Sequence, residues 1–391
     1  VRVFKNSYLA YLLMYMCYYL SWALFSSLIS VYLLDLGYKA SQVSAVVSTS
    51  FIASMLSQPL IGWLNDRMGI KKVTWLLLFL TIPGALLMIA TQNLLLITLA
   101  YSWVLLLVNG SIPVMEKIAT SSPFTYGKIR IWGTIGFALG SQFAGLIYER
   151  IAPYAVFLAF IISMLLTLLG IWGTEVDEDV HLAKTPQLSA PDSTRKALFH
   201  NQTYLFYLFI AMLFSGVTNA GHTYIPAMLE ASGFTVQRVS SIVALAVLFE
   251  TPLTLFSYKF MDQLSSSRLF KLTTLFVMLQ FMIYALELGP MSKVIVTLLG
   301  KHTTGMLFIM LNMKIVSSLV DKRYLITALS LVQVFRSLGS ILTQSVVGQI
   351  IDRWSYSAMC WFLAMVALIV YGLLHKISLP DGRNQNLFSK S

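Results

Sequence analysis

Apolar runs of about bilayer length follow one another along this chain and leave few folds open to it. They fall near residues 7–34, 41–63, 73–91, 94–115, 129–148 and 153–173, then near 203–229, 238–260, 269–288, 293–320, 325–350 and 356–377. A spanning helix needs roughly 20 predominantly apolar residues, and most of the sequence divides into segments of that kind. Charged residues make up 11% of the chain, against about 25% in soluble domains. The reading is an all-α membrane protein of about twelve transmembrane helices. The first run is read as a spanning helix and not a cleavable leader, being too long and lacking a small-residue cleavage site.

A polar stretch, 174–202, separates six runs from six. The expected organisation is an N-terminal six-helix bundle over 1–173, a linker over 174–202, a C-terminal bundle over 203–378 and a tail over 379–391. The net charge of +11 does not mark a nucleic-acid face, because the basic residues sit in short turns between apolar runs. With the N-terminus inside, 19 of the Lys and Arg residues fall in inner segments and 5 in outer loops. That bias predicts cytoplasmic termini and a cytoplasmic linker in a multi-pass cell-membrane protein. Three cations, Arg130, Lys301 and Arg336, lie within or at the edge of apolar runs and have no topological reason to be there. Cys17 and Cys360 lie inside apolar runs, so neither a disulfide framework nor a zinc site is expected.

A weak repeat relates the halves. Gly62-Trp-Leu-Asn-Asp66-Arg67 is echoed 196 residues later by Tyr258-Lys-Phe-Met-Asp262-Gln263. Gly145-Leu-Ile-Tyr-Glu149-Arg150 is echoed 203 residues later by Gly348-Gln-Ile-Ile-Asp352-Arg353. Nested repeats of this kind are how many secondary transporters are built. Within the first copy, Gly62 is expected to let helices approach closely and Gly69 to make a tight turn.

The stretch 109–137, NGSIPVMEKIATSSPFTYGKIRIWGTIGF, places Glu116 at the end of one apolar run and Arg130 in the first turn of the next. A charge at bilayer depth costs roughly 2.5–3.5 kcal/mol on insertion scales unless it meets a partner. Carboxylate and guanidinium together offer acceptors and forked donors to vicinal hydroxyls. The plainer alternative is a structural ion pair. Arg130, Gly133, Gly136 and Gly140 also form a small-residue face suited to helix packing.

The loop Gly62-x-Leu-x-Asp66-Arg67-x-Gly69-x-Lys71-Lys72 resembles the signature loop of the major facilitator superfamily, and the resemblance extends to the twelve runs and the central linker. It implies two pseudo-symmetric bundles and a gating role for Gly62, Asp66, Arg67, Gly69 and Lys71. Asn109-Gly-Ser-Ile-Pro113-x-x-Glu116, with Tyr126-Gly127-Lys128-x-Arg130-x-x-Gly133-x-x-Gly136-Phe137, is similar to the lactose permease group of oligosaccharide/proton symporters. That similarity implies that Glu116 and Arg130 bind sugar hydroxyls and that Phe137 stacks on a ring, although the group's pattern has Trp there.

Glu250 matches an eighth-helix acid of the same group, implying contact with sugar and with the proton site. Arg336 matches a basic residue of the eleventh helix; it is expected to pair with Glu250 or to bind substrate. The group's seventh-helix acid is missing, with Asn219 standing in that region, and Gly300 and Thr303 stand where its tenth-helix His and Glu would be. Lys301 and His302 lie beside those positions. Gly300-Lys301 is not a P-loop, because Ile295 replaces the leading Gly and His302 the Ser/Thr. Tyr11, Tyr15, Tyr18, Tyr19 and Trp22 recur at helical spacing; such a stripe is packing or a sugar platform, with Tyr19 and Trp22 the candidates for the latter.

The expected function is therefore proton-coupled symport of an oligosaccharide or glycoside by alternating access. No cofactor beyond the coupling proton, no enzymatic activity and no nucleic-acid partner is expected, and the chain is expected to act as a monomer. Glu116, Arg130, Phe137, Trp22, Tyr19, Asn219 and Glu250 are the substrate candidates; Glu250, His302, Lys301 and Arg336 are the coupling candidates. A transporter of a nucleoside, an organic anion or a drug is the alternative, followed by a membrane sensor without flux.

Overall fold

The computed structural model describes residues 4–175, 200–256, 260, 261, 263–321 and 325–381, without the side chains of Asp66, Arg67, Thr254, Leu255 and Ile326. The described residues form fifteen helices. The first eight are α1 (Tyr8–Ser26), α2 (Ile29–Asp35), α3 (Ala40–Met68), α4 (Ile70–Phe79), α5 (Thr81–Ala90), α6 (Leu94–Thr120), α7 (Tyr126–Arg150) and α8 (Ala155–Gly173). The rest are α9 (Gln202–Ala231), α10 (Val236–Leu255), α11 (Ser266–Ala285), α12 (Pro290–Gly300), α13 (Thr303–Leu319), α14 (Leu325–Arg353) and α15 (Tyr356–Lys376).

Some runs read as single helices are broken within the span. Tyr8–Asp35, Ile70–Ala90 and Pro290–Leu319 are each one candidate span built of two helices. Among the described residues ten candidate spans are long and apolar enough to cross a membrane. The expected helices at 129–148 and 325–350 are present as α7 and α14, long enough at 25 and 29 residues but outside those ten. Side-chain caps hold several helix starts where no preceding turn can: Asn93 Oδ1 accepts from Leu95 and Leu96, Ser265 from Arg268 and Ser355 from Ala358. Asn201, the first residue of an Asn-Gln-Thr sequon, caps the start of α9 by accepting from the Tyr204 N–H.

The chain divides into two compact units, Val1–Ala183 with Pro226–Leu248, and Lys184–Ile225 with Phe249–Ser391. The sequence division differs at 226–248. In the first unit that segment is held by the last turns of α7. Glu149 Oε2 accepts the Gln237 N–H at 2.8 Å, and a Cβ on Gly145 would lie 2.3 Å from Ser240 Cβ.

α1 is the centre of the first unit, packed against α7 and α8. It lies so close that side chains cannot intervene. A Cβ on Gly136 would lie 2.2 Å from the Met16 carbonyl oxygen, one on Gly140 2.4 Å from that of Leu20, and one on Gly170 2.4 Å from the Met14 nitrogen. Glycine faces allow this approach in a bilayer, where helix association relies on close packing. In the second unit α11 packs on α15. Large apolar side chains such as Leu56, Leu95 and Met365 remain more than half exposed, which is the surface that lipid requires.

Candidate functional site

In the first unit the close approach of α1 to α7 brings Tyr15 and Tyr19 over Arg130 and against Glu116. Glu116 Oε1 accepts from the Tyr15 hydroxyl at 2.6 Å and from Tyr19 at 3.3 Å; Oε2 accepts from Tyr126 at 2.5 Å. Arg130 Nε lies 4.0 Å from Glu116 Oε1, and both side chains are about one-third exposed, at 35% and 31%. The guanidinium sits over the rings of Tyr19 and Tyr15, 5.6 and 6.0 Å from their centroids. The aromatic row runs on through Trp22, 5.9 Å from Tyr19, to Phe137, whose ring meets Trp22 edge-on at 6.0 Å. Glu116, Arg130, Tyr19, Trp22 and Phe137 thus lie in one place. A partly exposed acid–base pair with an aromatic row can bind hydroxyls at one end and cover an apolar ring face at the other.

Tyr15 and Tyr126 belong to this centre, and the sequence reading gave neither a role there. Their signal was present: Tyr15 stands one helical turn before Tyr19, and Tyr126 one turn before Arg130. Tyr18 is a packing residue, fully buried with its hydroxyl bonded to the Val108 carbonyl at 2.6 Å.

Among the described residues of the second unit, Lys301 with His302, and Arg336, lie in two separate polar groups. At the break between α12 and α13, Lys301 is buried with its Nζ 3.3 Å from His222 Nδ1 on α9. The ring of His302 meets that of His222 edge-on, centroids 5.1 Å apart. Gln280 of α11 lies over Gly300, and its amide reaches Tyr284 at 3.3 Å. On α14, Arg336 donates to Ser215 Oγ and Gln333 Oε1, both at 3.1 Å, and stands 5.2 Å over the Phe308 ring. The expected pairing of Arg336 with Glu250 is therefore replaced by neutral acceptors and an aromatic face. Glu250 is half-buried on α10, two residues before Pro252. Asn219 donates to Ser340 Oγ at 2.6 Å, whose own hydroxyl donates to the Arg336 carbonyl. Among the described residues no group of three or more His, Cys, Asp or Glu is placed to hold a metal.

At the signature loop, Gly69 has φ 86°, the left-handed backbone expected of its turn. Lys71 Nζ donates to the carbonyls of Trp172, at 3.1 Å, and Thr174, tying this turn to the end of α8. The expected close approach at Gly62 does not occur: a Cβ there would meet nothing within 4 Å. The side chains of Asp66 and Arg67 lie outside the described residues, as do Tyr258, Lys259 and Asp262 of the echo. Lys314, counted above among the inner cations, is fully buried and donates to the carbonyls of Met261 and, at 2.7 Å, Leu264.

The model of the Major Facilitator Superfamily matches residues 11–342. The chain belongs to the major facilitator superfamily. This facilitator is a transporter-family protein with multiple membrane spans, and not an enzyme. It is 23% identical over 355 residues to the maltose permease of Geobacillus stearothermophilus, covering 88% of this chain and 87% of that one. It is 27% identical over 168 residues to the sucrose permease of Escherichia coli, a match spanning 39% of this chain and only 40% of the permease. Among solved structures the facilitator is similar to the nucleoside transporter NupG, with TM-score 0.83 at 15% identity over 94% of this chain and 99% of that one. That likeness shows the all-α facilitator fold.

Proposed function

We propose that this facilitator is a proton-coupled symporter of an oligosaccharide or related glycoside. The observation that carries this reading is the Glu116–Arg130 centre with its aromatic row from Tyr15 to Phe137. Glu116 and Arg130 bind ring hydroxyls, and Trp22 and Phe137 cover the apolar face of a pyranose. The likeness to a maltose and a sucrose permease supports the substrate class. In the second unit Asn219 and Glu250 are the substrate candidates, and Glu250, Lys301, His302 and Arg336 communicate the proton. The Lys and Arg distribution supports cytoplasmic termini and linker, and the chain works as a monomer.

Uptake into proteoliposomes tests the reading. Addition of sucrose or maltose should alkalinise the outside as sugar and proton enter together, and Glu250→Gln should abolish the proton movement. Undiminished sugar binding in both Glu116→Ala and Arg130→Ala would overturn the site. A second reading, transport of an organic anion, is favoured by one observation: Lys301 and Arg336 have no carboxylate within ion-pair distance among the described residues. Uptake of an anion without sugar would establish it.

A further inference from the structure

The span Pro290–Leu319 gives way at its most polar point. α12 ends at Gly300, α13 begins at Thr303, and Lys301 and His302 fill the gap. Both residues keep right-handed helical φ and ψ, and at membrane depth the backbone groups that a helix break frees have to be met within the protein. Lys301 is 6% exposed, and among the described residues its side chain makes one polar contact, to His222 Nδ1 at 3.3 Å.

The titratable groups around it come from three directions: His222 from α9, His302 from the break itself and, behind Gln280, Tyr284 from α11. Thr297 of α12 closes the side towards Tyr284, and Thr304 of α13 donates to the Gly300 carbonyl. None of these groups is a carboxylate, and no carboxylate lies within ion-pair distance of Lys301 among the described residues. A buried charge is costly without a counter-ion, and a lysine sheds its charge only by releasing a proton. A carboxylate here would instead hold the ammonium in a pair that is expensive to break once buried.

We infer that Lys301 and His222 form a proton-binding site of this facilitator, with the proton carried on Lys301 Nζ. In the loaded state the ammonium donates one N–H to the lone pair of His222 Nδ1, whose own ring proton sits on Nε2. On unloading, a second N–H bond of the ammonium breaks, its electron pair stays on Nζ, and the proton passes to water. The neutral amine still donates to His222 Nδ1, so the cluster falls from one positive charge to none without losing its hydrogen bond. His222 and His302 are half-buried, and a Cβ on Gly305 would stand 3.6 Å from His222 Nε2 with no closer neighbour. That leaves room beside the ring on the side away from the amine.

The inference rests on the symport reading only in joining this proton to substrate movement, so its first test needs no substrate. The chain has five histidines. Protein labelled with 15N-histidine in lipid nanodiscs is titrated, with His222 assigned by the signals lost in His222→Gln. The expected result is a pH-dependent shift of the His222 ring nitrogens that is displaced or lost in Lys301→Met. His222 signals that titrate alike with and without Lys301, or that show no pH dependence in the wild-type protein, would overturn the site. The second test compares accumulation of sucrose or maltose under a pH gradient with exchange across equal sugar. Lys301→Met, and Lys301→Arg whose charge cannot be released, should lower the ratio of accumulation to exchange. An unchanged ratio in both variants would overturn the coupling role. A linked His222 titration in a protein that moves no sugar supports the proton site and discards the substrate reading.

Discussion

A carboxylate has about four lone-pair positions to offer, and Glu116 already fills three of them with tyrosine hydroxyls. The three are not equivalent. Tyr15 is fully buried and sets the carboxylate in place, while Tyr126 is 37% exposed and occupies Oε2 where a substrate hydroxyl would bind. Tyr126→Phe removes a competitor for Oε2, so sucrose or maltose should bind severalfold tighter by calorimetry. Tyr15→Phe should bind more weakly. Arg130→Lys keeps the charge but loses the fork and the stacking on Tyr19, and should weaken binding by at least about tenfold, or about 1.4 kcal/mol. Glu116, Arg130 and Lys301 were legible in the sequence because a charge in an apolar run is conspicuous. Tyr15, Tyr126 and His222 were not: a tyrosine in such a run looks the same whether it packs or donates, and His222 acquires meaning only from Lys301, 79 residues away.

Among the helices, the glycines divide into those that touch and those that do not. Gly140→Ala puts a methyl 2.4 Å from a backbone oxygen of α1 that cannot turn away. The overpacking should cost about 1–3 kcal/mol and lower the thermal midpoint of the purified protein. Gly62→Ala meets open space and should leave that midpoint unchanged. The 126–150 small-residue face was readable from spacing, whereas the idleness of Gly62 was not, because spacing does not say which neighbour arrives. The break in Pro290–Leu319 was likewise hidden, since the run 293–320 carries other polar residues, among them Thr297, Asn312 and Lys314, and no Pro to mark where the helix stops. Glu149 sits at the first turn of α10, where an anion is favoured by the helix dipole and the free N–H groups. Glu149→Ala should destabilise the start of α10 by about 0.5–2 kcal/mol, seen as faster amide exchange near Gln237.

For the molecule as a whole, the number and spacing of apolar runs led to the fold because a bilayer admits so few alternatives to the helix. The substrate is less legible, because a fold shared with permeases and with a nucleoside transporter leaves it to a handful of side chains. Orientation is open to direct measurement. Cys17 and Cys360 are both buried, so a single cysteine placed in the linker 174–202 should react with an impermeant maleimide only from the cytoplasmic side of oriented membranes. Labelling from the outer side would reverse the assignment. The seam along α1 carries a consequence for how such a transporter changes over generations. Gly136, Gly140 and Gly170 come nearest the backbone of α1, whereas Gly133 lies against the rings of Tyr15 and Tyr19, so substitutions on the strip bearing Tyr15, Tyr19 and Trp22 leave the backbone contacts of the frame in place. Exchange of diet needs only a few substitutions on that strip, and a scan of every position in α1 should find one intolerant edge beside one permissive edge.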